Sequence, residues 1–143
     1  MTAPSCRPTL PVRDVDDLLY RAAAYLTCHG WTPKGLYKTH GRCFSICPEH
    51  GPFCYPASTL GAIRVAVFGH NVVRLDNISA EARHTYTAAV EWLNTYLLAV
   101  GYAGQHASVF DWETAPARTR VHAIGALQEA AFAYRRQAEQ VAA

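Results

Sequence analysis

The chain has 143 residues, half of them apolar and 17% charged, with a formal net charge of +2. That length fits one domain, and the apolar share excludes a disordered chain. The small charge disfavours a nucleic-acid binder, which carries a dense basic stripe, and the longest apolar runs, such as Val65-Ala66-Val67-Phe68, fall far short of the roughly 18 to 20 residues a membrane-spanning helix needs.

Residues 1–13 contain Pro4, Pro8 and Pro11 and no periodicity. They read as a flexible arm ahead of a single helical domain over 14–143. The start has no basic segment followed by an apolar run, so the expected compartment is a reducing cytoplasm. There, free thiols or a metal site outweigh disulfides.

The first helix begins after Asp14, with Asp16 and Asp17 in a first turn where negative charge suits the helix dipole. Val15, Leu18, Leu19, Ala22, Ala23 and Leu26 recur at three- and four-residue steps and form one apolar stripe. Gly30 stops it, and Pro33 follows. Between 31 and 56 the helical pattern breaks into glycines, prolines and aromatics. A structureless loop of that length is uncommon inside a compact domain, so the stretch predicts a Cys-rich loop tied down by a ligand, or a small hairpin.

A second helix is expected over about 58 to 68, capped by Ser58 or Thr59 and ended by Gly69. The clearest helix opens at Ser79, carries Ala82, Tyr86, Ala89, Val90, Leu93, Leu97 and Val100 at helical spacing, and closes at Gly101. The last starts near Thr119, carries Val121, Ile124, Leu127, Ala131 and Tyr134, and frays toward Ala143. The expected fold is mainly α: a compact bundle of three to four helices with the Cys-rich segment between the first two.

Chemistry concentrates in Cys43-Phe44-Ser45-Ile46-Cys47-Pro48-Glu49-His50-Gly51-Pro52-Phe53-Cys54. Cys43, Cys47, His50 and Cys54 are four soft ligands in a short loop, the donor set of a structural zinc site. The spacing departs from the paired two-residue knuckles of common zinc modules, so inert buried thiols and a disulfide stay open beside it. A cysteine–histidine nucleophile pair is weaker, because near neighbours in a loop seldom point the same way. No Gly-rich phosphate loop, nucleophile elbow or H-E-x-x-H motif is present.

Trp31, Arg64, Trp112 and Arg118 are candidates for a ligand or partner surface. Phe110 and Trp112 read first as aromatics that seal the bundle end, and second as an aromatic and acidic site mouth with Asp111 and Glu113. A basic end of the last helix, Arg135-Arg136, is what a nucleic-acid reading would rest on.

His29-Gly30-Trp31 with Lys34-Gly35, then Leu60-Gly61-Ala62-Ile63-Arg64, then Trp112-Glu113-Thr114-Ala115-Pro116-Ala117-Arg118-Thr119 together resemble DUF6197, a family of small actinobacterial and actinophage proteins of unknown function. The resemblance runs from about residue 15 to 133. That family's pattern has Trp-Asn-Asp where this chain has Trp112-Glu113-Thr114, and the cysteine-rich insert is longer here. The resemblance implies origin and a consistent fold, with no activity attached. The sequence thus leads to a cytoplasmic, non-enzymatic protein-interaction or regulatory module with a structural zinc loop. The alternatives are a small-ligand protein or enzyme with a Trp/Arg pocket, and a nucleic-acid binder.

Overall fold

A computed structural model describes residues 14–38, 55–69, 74–76, 78–101 and 108–142. These residues form five helices and no strand: α1 (Val15–His29), α2 (Thr59–Phe68), α3 (Ala80–Ala99), α4 (Val109–Glu113) and α5 (Arg120–Ala142). The expected count of three to four helices is corrected by α4, a helix of five residues, too short for an apolar stripe to announce it. The helix expected near Thr119 is α5.

The stripe of α1 is the centre of the molecule. Leu18, Leu19, Ala22, Ala23 and Leu26 are all buried. α5 lies antiparallel along it, so that Arg135 late in α5 meets Asp16 at the start of α1, with Nε 3.0 Å from Oδ2. Ala123, Ala126, Leu127, Ala130 and Ala131 supply the facing side of α5. Small residues there let the two helices approach closely, and the larger Leu and Ile side chains fill the rest. α3 packs on α5 in the opposite direction: the Trp92 indole Nε1 donates to the Ala130 carbonyl at 2.8 Å, Trp92 meets Tyr134 edge-on at 5.3 Å, and Tyr96 donates to Glu129 at 3.0 Å.

The caps explain the helix limits. Ser58 accepts from the Gly61 N–H and Ser79 from the Ala82 N–H. Gly69 ends α2 at φ +85°, a left-handed cap that suits glycine. Thr119 and His122 cap α5 reciprocally: the Thr119 N–H donates to His122 Nδ1 at 3.1 Å and the His122 N–H to Thr119 Oγ1 at 3.5 Å. This is a capping box with histidine in the usual Glu position. Asp14 precedes α1 as expected, yet its side chain makes no cap bond.

From 31 to 38 the described chain forms isolated bridges, Trp31 with Ala57 and Tyr37 with Ala57, rather than strands. The Thr32 N–H donates to the Ala57 carbonyl and the Ala57 N–H to the Gly30 carbonyl, so this turn is stitched to the entry of α2. Cys43, Cys47, His50 and Cys54, and the arm over 1–13, lie outside the described residues. Cys28, buried near the end of α1, is disulfide-bonded. Among the described residues, no helix is long and apolar enough to cross a membrane.

Candidate functional site

The most unusual chemistry among the described residues is a carboxylate in the interior. Glu113, the last residue of α4, is only 2% exposed. Its Oε2 accepts three hydrogen bonds, from Trp31 Nε1 at 2.6 Å, from the Thr59 N–H at 2.7 Å and from the Thr59 hydroxyl. Thr59 is itself fully buried and opens α2. Ser58 satisfies the Gly61 N–H of that helix and Glu113 satisfies the Thr59 N–H, so two of the donors at its positive end have acceptors.

Burial raises the Glu113 pKa above its ordinary value, and the hydrogen bonds from Thr59 and Trp31 oppose that rise. Such tuning is the signature of a functional acid, or of an internal clasp. The geometry favours the clasp: one oxygen at the end of α4 holds both the turn after α1 and the start of α2.

α4 is held in place to deliver this group. Ser108 accepts from the Asp111 N–H and donates to Asp111 Oδ2. Asn94 of α3 accepts from the Val109 N–H at 2.7 Å. After α4 the chain turns through Ala117, whose φ of +71° is a left-handed conformation carried by a residue other than glycine.

The four candidates for a ligand or partner surface divide into two places. Trp31 and Trp112 belong to the α4 region; Trp112 is buried as expected of an aromatic that seals the bundle, whereas Phe110, read with it as a seal, is exposed. Arg118 lies over the Trp112 ring, 4.7 Å from its centroid, and its Nε donates to the Trp112 carbonyl at 3.0 Å. Trp112 Nε1 is buried and meets no acceptor among the described residues. Arg64 stands apart on α2, where its Nε donates to the Tyr86 hydroxyl at 3.2 Å and its guanidinium lies 5.1 Å from that ring's centroid.

Sequence reasoning did not single out Glu113 or Thr59 as a pair. The signals were the departure Trp112-Glu113-Thr114 from the family pattern and the Ser108-x-x-Asp111 capping signature. Asp14, Asp16 and Asp17 bring carboxylate oxygens within 4.8 Å of one another. Asp16 is engaged by Arg135, and first-turn acids at the start of α1 need no metal to explain them.

Compared with known proteins, the sequence pattern of the family of unknown function DUF6197 matches residues 11–133. No curated protein and no solved structure matches the chain.

Proposed function

The chain belongs to DUF6197, a family of unknown function, and we propose that it is a non-enzymatic protein-interaction module. One observation carries the reading: the polar groups of the central site bind one another, while large apolar side chains stand in solvent at one end of the bundle. Leu98 and Val100 close α3, Phe110 lies on α4 and Val121 opens α5, all exposed. Antiparallel packing of α3 and α5 brings these helix ends together. Clusters of exposed apolar groups mark sites of association, and the partner this end fits is a protein with an apolar contact face of its own.

The small-ligand alternative needs convergent polar groups free to meet a substrate. Here Trp31 Nε1, Thr59 and Glu113 are engaged with each other, and the Arg118 guanidinium covers the Trp112 ring. The nucleic-acid alternative rests on Arg135 and Arg136, and Arg135 is engaged by Asp16.

A photo-crosslinking residue placed at Phe110 or Val121 tests the module reading in cells of the source organism. The expected result is one heterologous protein adduct, absent from a control at exposed Arg83 and lost when Leu98→Asp is added. A small molecule that raises the melting temperature, with the effect lost in Glu113→Gln, would overturn it in favour of a ligand pocket.

A further inference from the structure

The outer face of α5 has features that the apolar end does not share. Buried positions on α5 stop at Ala131, and residues 135–141 are exposed on every side of the helix. An amphipathic helix draws most of its stability from packing, and these two turns have little of it beyond the Arg135–Asp16 contact. Beside them runs a cleft of about 770 Å³ lined by Tyr96 of α3 and by Gln128, Glu129, Phe132, Arg136 and Gln140 of α5, among others. Phe132 stands exposed at its edge. Glu129 accepts from Tyr96 and faces no cation among the described residues. Arg136 lies 5.9 Å from the Phe132 ring centroid and faces no carboxylate among them.

The order of these residues is self-complementary when read backwards. An antiparallel second copy, with Phe132 of each chain beside Ala133 of the other, sets Glu129 against Arg136, Gln128 against Gln137, and Gly125 against Gln140, each pair made twice by the two-fold axis. Both charges of the cleft find opposite charges, Gln128 and Gln137 find each other, and Gln140 lies over the small Gly125. The unsupported turns of one α5 come to lie on residues 125–129 of the other, which its own bundle holds rigid. Gly125 suits the crossing, because a Cβ built there meets nothing within 4 Å in the single chain, leaving room for a second helix to approach.

We propose that the chain forms a two-fold homodimer through the outer face of α5, with Phe132 at its centre and paired Glu129–Arg136 contacts on either side. The proposal deepens the reading of the protein as an interaction module by naming one partner as a second copy. It uses a different face from the apolar end, so the two can fail separately.

Sedimentation velocity of the full chain across a concentration series tests it, with disulfide-linked dimers excluded on a non-reducing gel. The expected result is a reversible monomer–dimer equilibrium. Glu129→Arg and Arg136→Glu should each weaken it by about tenfold or more, as like charges facing each other at an interface do. The double variant, or an equimolar mixture of the two single variants, should restore it. Gly125→Arg, whose Cβ meets nothing within 4 Å in the single chain, should abolish the dimer without lowering the helix content or melting temperature of the monomer. A chain that stays monomeric at the highest concentration overturns the proposal. So does a dimer indifferent to the charge reversals, and a photo-crosslink at Phe110 would still report on the module reading in either case.

Discussion

Glu113 offers a direct test of what burial does to a carboxyl group. Its pKa is raised in the folded chain, chiefly by desolvation, so the native state binds the proton more tightly than the unfolded state. Its favourable contribution is then fully present below the ordinary carboxylate range, near pH ~4.3, and is lost as the pH rises through the raised folded value. Melting temperatures of the wild type and Glu113→Gln, measured from pH 7 down to pH 4.5, should converge at the acid end, because the wild type gains on protonation what the amide has throughout. Glu113→Ala should cost about 1–3 kcal/mol for each buried donor it strands, read by denaturant unfolding followed by tryptophan fluorescence. Ala117 is the opposite case: glycine at φ +71° relieves a strained position, and Ala117→Gly should stabilise by up to about 1 kcal/mol. Neither residue's setting was legible in the sequence. A Glu next to a Trp reads as surface or as site mouth with equal ease, and only the fold brings Thr59 and Trp31 to it from 54 and 82 residues away.

The helices with long apolar stripes or strong caps were legible, and for physical reasons. Ser58, Ser79, Gly69 and Gly101 punctuate the chain where hydrogen-bonding groups must be satisfied or the helix must turn off. α4 escaped because five residues make little more than one turn, and what stabilises it comes from elsewhere, through Asn94 and Glu113. Two helical glycines separate by the same logic. A Cβ at Gly61 would lie 2.2 Å from the Leu36 carbonyl oxygen, a backbone atom, so Gly61→Ala must push the 31–38 turn off α2. A loss of roughly 1–3 kcal/mol is expected, the range for overpacking a tight site. Gly125→Ala meets open space and should gain up to about 1 kcal/mol of helix propensity. Thermal melts of the two variants side by side check the contrast.

At the scale of the whole molecule, the bundle rests on the pairing of α1 with α5, and the cysteines set a separate constraint. Five cysteines serve a chain in which Cys28 is already in a disulfide. If Cys6 is its partner, the set of Cys43, Cys47, His50 and Cys54 is whole, and about one zinc per chain is expected with two cysteines protected by the disulfide. If any of the other three is its partner, the set loses a ligand, and metal analysis should find no zinc. Metal content together with peptide mapping under non-reducing conditions separates the two. Reducing the disulfide should cost on the order of 2–4 kcal/mol in either case. The sequence could not pair these cysteines, because spacing constrains connectivity only weakly.

Covering the α1 stripe by α5 also has a bearing on how the protein is made. Ribosomes release the N-terminal end first, at about 5–20 residues per second. Leu18, Leu19 and Leu26 therefore emerge well before Ala123, Leu127 and Ala131 exist to cover them, and the α2 entry waits for Glu113. For several seconds the nascent chain holds an apolar stripe whose α5 cover has not yet been made. The Trp31–Glu113 hydrogen bond would form only near the end of synthesis. A ribosome-tethered chain stopped at residue 119 should accordingly be cut by protease near α1, and one extended past residue 142 by a linker that clears the exit tunnel should resist.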